Sequence, residues 1–320
     1  SAASDVYKRQ PLARNDESIV CQYTMVTLEE LGLLKMDFLG LRNLTVLDDA
    51  VKMVQQREPE FALSKIPDDD AETYDMISRG QTAGVFQIES TGMTGVCVGL
   101  KPQSIEDITA VIALYRPGPM ESIPRFIACK HDPKLVTYKH PRLVPILSVT
   151  YGCIVYQEQV IRIFQELGGF SLGQADMVRR AISKKKAKEI EKERQAFVYG
   201  DAERGIKGCI ANGIDEKTAQ AIYDEIYDFA NYAFNKAHAV SYAVVAYQTA
   251  YFKCHYTKEY MAALLTSVLD NSDKVAGYIG ECRDCGIALL PPDINESNDN
   301  FTVVPGGIRF GLEKNLRDAV

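Results

Sequence analysis

Apolar residues recur at helical spacing over residues 41–56, where Leu44, Leu47, Val51 and Val54 fall on one face. Just before them, residues 33–39 read LLKMDFL, an apolar run broken by Lys35 and Asp37. This run predicts a short buried strand that Gly40 ends. Residues two apart on a strand share a face, so Lys35 and Asp37 point the same way. Downstream, Pro67 and the acids Asp68, Asp69 and Asp70 open a helix running to about Arg79, since acids suit a helix N-terminus. Residues 84–88 (GVFQI) read as a strand or extended turn before a helix that starts near Glu89. Ser104 with Asp107 fits a capping box ahead of a helix over 108–114, which Arg116-Pro117-Gly118-Pro119 stops. A proline-bearing connector fills 130–152. The chain then reads as mostly helical, over 157–167, 173–182, 187–204, 215–229, 238–256, 258–269 and 274–285, with Gly168 and Gly169 as a C-terminal cap. The pattern changes near residue 288, where LLPPDIN, 301–304 and 308–310 around Gly306-Gly307 read as strands and a hairpin. Residues 1–10 lead into no periodic pattern and read as a tail or foreign sequence.

Composition places the chain among soluble globular proteins: 320 residues, 46% hydrophobic and 25% charged, enough for one large domain or two smaller ones. A net charge of -7 argues against wholesale electrostatic binding of nucleic acid and leaves local patches open. No apolar run is long enough to cross a bilayer, and no secretory signal is evident. The eight scattered cysteines suit thiols in a reducing compartment. Cys282 and Cys285 have CxxC spacing but no second pair or suitably spaced histidine, so they read as helix-face cysteines rather than a zinc or redox site. No GxxxxGK[ST], GxGxxG or HExxH pattern is present, and four histidines are few for hydrolytic chemistry.

Five stretches could carry chemistry. Lys35 with Asp37 offers a carboxylate for Mg²⁺ and a lysine for phosphate oxygens, or an edge-strand ion pair. Arg179, Arg180, Lys184, Lys185 and Lys186 could grip a triphosphate or a nucleic-acid backbone, or belong to the solvated helix that continues as KEIEKER. Helical neighbours point about 100° apart, so at least one of Arg179 and Arg180 faces inward. In residues 231–242 (NYAFNKAHAVSY), Tyr232, Phe234, Lys236, His238 and Tyr242 mix aromatic planes with cations, as base stacking requires, or form a helix junction with a buried aromatic set. Arg116 sits on a rigid turn that suits a phosphate contact or a structural arginine. Gln157-Glu158-Gln159 at a helix start reads as surface.

Together the segments LLKMDFLGLRNLT, GVFQIES, ALYRPGP, TYGCIVYQEQV, ADMVRRAISKKK, FNKAHAVSYAVVAYQTAYFK and LLPPDIN resemble the catalytic alpha subunit of bacterial replicative DNA polymerase III, the C-family polymerases of DnaE type. They occur in the family's order from about residue 28 to residue 311. The resemblance implies an α+β fold, predominantly α-helical. Residues 11–40 would be the C-terminal piece, with the last strand, of a polymerase-beta-like nucleotidyltransferase palm. Residues 41–288 would be fingers, and 289–320 the truncated start of the clamp-binding or helix-hairpin-helix domain.

The implied activity is DNA-directed DNA polymerisation, the template-directed addition of dNTPs to a primer 3′-OH by two-metal catalysis. Asp37 matches the third of three acids that hold two Mg²⁺ ions, and Lys35 a lysine beside the triphosphate. Arg116, Arg179, Arg180, Lys184, Lys236 and His238 would contact the dNTP. The first two acids belong to an Asp-x-Asp segment upstream in the family, which the chain does not contain, so the chain alone is expected to be inactive. The alternative is a non-catalytic helical module that binds nucleotide or nucleic acid. Implied partners are primer-template DNA and dNTPs and, in a complete protein, the sliding clamp and other replicase subunits, with no membrane and a cytoplasmic location. Two departures stand out: Ala233 replaces a usual glycine, and GLEKNLRDAV is shortened against the family's pattern.

Overall fold

Polar caps set where the helices begin. The side chains of Asp70, Ser90, Ser104, Asn235 and Asn271 each accept the N–H of the residue three further on, satisfying donors that a helix start leaves orphaned. The computed structural model describes residues 11–34, 36, 40–183, 187–230 and 233–312. They fall in two units, Ser1–Leu41 and Arg42–Val320.

In the first unit, strands β1 (Leu12–Asn15) and β2 (Ser18–Cys21) pair as an antiparallel hairpin, with Asn15 opposite Ser18. Asp16, at φ 50, supplies the left-handed turn residue. Helix α1 (Met25–Glu30) follows, capped by Thr24. The strand expected over 33–39 is not formed where the chain is described. Leu33, Leu34 and Met36 join no strand, and Leu34 and Met36 are 83% and 66% exposed. A strand needs a neighbour to bond its N–H and C=O groups, and among the described residues no strand pairs with these three. Lys35, Asp37, Phe38 and Leu39 lie outside the described residues.

The second unit runs through α2 (Arg42–Gln55), α3 (Ala71–Ser78), α4 (Thr91–Leu100), α5 (Ile105–Leu114) and α6 (Ile123–His131). It continues through α7 (Val144–Leu147), α8 (Gln157–Gly168), α9 (Leu172–Ser183), α10 (Ala187–Tyr199) and α11 (Glu216–Ala230). Helices α12 (Lys236–His255), α13 (Thr257–Ser267) and α14 (Ser272–Asp284) precede a small sheet of β3 (Ala288–Leu290), β4 (Thr302–Val304) and β5 (Gly307–Arg309). The strand order is β3-β5-β4, parallel between β3 and β5 and antiparallel between β4 and β5.

Three apolar cores organise this unit. In the first, Phe164 of α8 meets Phe197 of α10 and Tyr223 of α11 edge to face. In the second, α3 to α6 pack on α12. Ala239, Ala243, Ala246 and Ala250 are wholly buried along one stripe of α12, and their small side chains let α5 approach closely. The third core joins α2, α13 and α14 to the sheet through Phe252, Leu265, Phe301 and Ile308. The last strands therefore share a core with helices from both ends of this unit's sequence.

Residues 84–88 form turns, the second of the two readings open for them, with Gln87 at φ 65. One local expectation changes. The helix expected to run to Arg204 stops at Tyr199, because Gly200 takes φ +95 and packs so closely that a Cβ there would lie 2.6 Å from the Lys207 carbonyl oxygen.

The segment expected to be surface, Gln157-Glu158-Gln159, is a junction in which Gln157 and Glu158 are half-buried and Gln159 is buried. Gln159 is 5% exposed. Its Oε1 accepts the Val155 and Tyr156 N–H groups at 2.8 and 2.9 Å. Its amide donates to the Ile146 carbonyl and to Thr150 Oγ1 at 3.2 and 2.8 Å. A glutamine can leave solvent when its amide is satisfied in this way.

Candidate functional site

The start of α12 is held by the start of α8. Phe234 donates its N–H to the Val155 carbonyl, and Gln157 donates to the Phe234 carbonyl, a single parallel bridge. Glu158 then accepts the Lys236 N–H with both carboxylate oxygens at 3.1 Å, where the helix dipole favours an anion. This junction fixes the first turn of α12.

From that turn a row of rings rises at a spacing of four residues. Phe234 and His238 have ring centroids 5.4 Å apart, and His238 and Tyr242 4.3 Å. Phe86 adds a fourth ring, 5.2 Å from Tyr242. The guanidinium of Arg116 lies over the Phe234 ring, 4.2 Å from its centroid, and its Nε donates to the Ala113 carbonyl at 3.3 Å. Burial lowers the Arg116 pKa, and the ring face offsets part of that cost.

Arg116, Phe234, His238 and Tyr242 line a cleft of about 550 Å³ together with Gln87, Glu89, Ser90, Met93, Ile112 and Tyr115, and Phe86 packs behind Tyr242. Ser90 caps α4, so the positive end of that helix opens on the cleft. Tyr115 fits against Gly92 so closely that a Cβ there would lie 1.7 Å from the tyrosine oxygen. A buried-edge cation, a helix N-terminus and stacked aromatic faces suit a ligand with a planar base and phosphate groups. Glu89, the carboxylate of the lining, already accepts the Tyr278 hydroxyl at 3.0 Å. The cleft therefore lacks the set of acids that a pair of Mg²⁺ ions requires.

The structure brings Arg116 and His238 to one cleft, whereas Lys236 is not among its lining residues. Lys236 Nζ lies 3.1 Å from Glu106 Oε1 and 5.3 Å from the Tyr156 ring centroid. Arg179 and Arg180 belong to α9, on the first core, and both close on Asp176. Arg179 Nη2 and Arg180 Nε each lie 2.8 Å from a different Asp176 oxygen. The Arg179 hydrogen bond, ahead of the remaining charge effects, holds the Asp176 carboxyl below its ordinary range. Arg179 is the inward one of the pair, at 17% side-chain exposure against 67% for Arg180. Lys184, Lys35 and Asp37 lie outside the described residues.

Sequence reasoning passed over Phe86 and Asp176 and read Glu158 as surface. Asp176 sits three and four residues before Arg179 and Arg180, the spacing at which helical ion pairs form, so that partner was available in the pattern. Glu158 and Phe86 reach the site from distant segments, and the local pattern does not show what they meet.

The helices that present this cleft match a known domain class. Residues 43–205 match the bacterial DNA polymerase III alpha subunit finger domain. The chain is 48% identical over 318 residues to the DNA polymerase III subunit alpha of Thermus aquaticus, covering 97% of this chain and 25% of that protein. It is 48% identical over 304 residues to the Bacillus subtilis subunit, covering 94% and 26%. Against the Borreliella burgdorferi subunit it is 46% identical over 301 residues, covering 93% and 26%. The chain belongs to the bacterial DNA polymerase III alpha subunit family. It spans about a quarter of the length of these relatives. Among the described residues, no helix is long and apolar enough to cross a membrane.

Proposed function

We propose that this chain supplies the fingers of a DNA-directed DNA polymerase and that the Arg116–Phe234–His238–Tyr242 cleft receives the incoming dNTP or the template base opposite it. The observation that carries this reading is the cation-over-ring row at the α4 N-terminus, in a chain of this family. Residues 11–40 are assigned to the palm, 41–288 to the fingers and 289–320 to the start of the following domain. Arg179, Arg180 and Lys184 would meet the triphosphate once it draws the arginines off Asp176, and Lys236 would do so on leaving Glu106. Asp37, with Lys35 beside it, would hold Mg²⁺, which when bound neutralises the triphosphate and assists the primer 3′-OH. In a complete cytoplasmic enzyme the substrates would be dNTPs and primer-template DNA, and the partners the sliding clamp and other replicase subunits.

Two measurements test this reading. The full-length polymerase that carries this segment should lose primer extension on Asp37→Asn while its unfolding transition stays near that of the parent; retained extension would sink the role of Asp37. The 320-residue chain should bind dNTP weakly, with affinity that falls as salt rises and falls further with Arg116→Ala. A salt-independent affinity, or one unchanged by Arg116→Ala, would refute the cleft. Primer extension by the 320-residue chain itself would refute the assignment of the remaining catalytic acids to other segments.

A further inference from the structure

We propose that Glu72, Cys254 and His255 form a binding site for a zinc-class divalent cation at the end of α12 opposite the cleft. One ligand atom from each of the three lies within 4.8 Å of the others. Glu72 comes from the first turn of α3, and Cys254 and His255 from the last turn of α12. A thiolate, an imidazole and a carboxylate match the donors that zinc takes at about 2.0–2.3 Å, whereas Mg²⁺ takes oxygen donors alone. The site therefore differs in chemistry from anything the polymerase reading asks of Asp37, and it does not rest on that reading.

The surroundings support the ligands. Asp70 Oδ2 lies 2.9 Å from His255 Nε2, joining residues 185 apart in sequence. Asp70 is itself fixed as the cap of α3, where it accepts the Thr73 N–H at 2.8 Å and the Thr73 hydroxyl at 2.6 Å. A carboxylate behind a histidine is the usual means of orienting an imidazole toward a metal. Tyr251 packs on the same ring, with centroids 4.5 Å apart. The site also lies at a helix C-terminus, where the dipole favours a cation. Glu72 is exposed and Cys254 half-buried, so an ion can enter from solvent and water can complete a four-coordinate shell. A bound ion would clamp α3 to α12, which are far apart in the chain and adjacent in the second core.

Cobalt(II) reports such a site through its thiolate charge-transfer absorption. The full 320-residue chain, stripped with a chelator and titrated with Co²⁺, should develop that band at one ion per chain. Zn²⁺ should displace the cobalt and raise Tm. Cys254→Ser should abolish the band, Cys285→Ser should leave it unchanged, and His255→Gln should weaken binding by about tenfold or more. Because Glu72 is exposed, Glu72→Gln keeps the test valid if a buried-edge variant misfolds, and it should also weaken cobalt binding. Absence of the band, its survival in Cys254→Ser, its loss in Cys285→Ser, or unchanged affinity in Glu72→Gln would each overturn the proposal.

Discussion

Replacing Lys130 by methionine should strike the cleft from a distance. Lys130 Nζ lies 2.8 Å from Asp107 Oδ2, and the two side chains are 8% and 6% exposed. The same ammonium donates to the Lys101 carbonyl at 2.8 Å. Asp107 also accepts the Gln103 N–H at 2.9 Å and the Tyr151 hydroxyl at 3.2 Å. The arrangement departs from the expected capping box: Ser104 caps Asp107, but the Asp107 carboxylate turns to Gln103, Lys130 and Tyr151. This network ties the start of α5 to the end of α6, and α5 ends immediately before Tyr115 and Arg116 in the cleft. Methionine keeps the stem and removes the charge, leaving a buried carboxylate with two neutral donors. Breaking a buried pair from one side costs about 3–5 kcal/mol, a large share of a typical net stability of about 5–15 kcal/mol. The chain contains no tryptophan, so far-UV circular dichroism through a urea titration is the suitable readout. The double variant Asp107→Asn with Lys130→Met removes both charges and should recover more than half of the loss. A cost below about 1 kcal/mol for Lys130→Met, or a double variant no more stable than the single, would refute the reasoning.

Other outcomes can be checked with the same titration. Gln159→Leu strips partners from the Val155 and Tyr156 N–H groups and the Ile146 carbonyl, and should cost about 3 kcal/mol or more; a loss under about 1 kcal/mol would show that water replaces the amide. The Tyr156 hydroxyl is buried with no hydrogen-bond partner among the described residues, so Tyr156→Phe should be neutral or slightly stabilising, and a clear loss would reveal a missing partner. The Asp176 carboxyl titrates below its ordinary 3.8 in the folded chain. Its contribution is therefore complete above that unfolded value and fades as pH falls through the lower folded one. Asp176→Asn should accordingly lose stability at neutral pH and show a flatter acid limb; a parallel pH profile would argue against the pairing.

The helices were legible because their information is local. Caps such as Asp70 and Ser104, the glycine at 169 and the four-residue spacing of α2 all act within one or two turns. Of the 33–39 run, Leu33, Leu34 and Met36 are described and join no strand: an apolar run states a preference for a sheet, and a sheet exists only where a neighbour supplies the ladder. Gln159 looked like surface because a side chain's polarity does not reveal whether a folded loop will satisfy it. Of the cleft, Arg116 and His238 were visible as cations among aromatics and turns. Phe86 and Glu158 enter through contacts that join the cleft to segments far away in the chain, and no window along the sequence contains both ends of such a contact.

The alanine stripe of α12 also has a consequence in time. Helices α3 to α6 end at His131, and the surface that completes their core begins at Lys236. At ribosomal speeds of about 5–20 residues per second, the intervening stretch takes roughly 5–20 s to synthesise. Throughout that interval the apolar faces that α12 covers have no α12 to meet, and the cleft that Phe234, His238 and Tyr242 line comes into being only when that late segment is made.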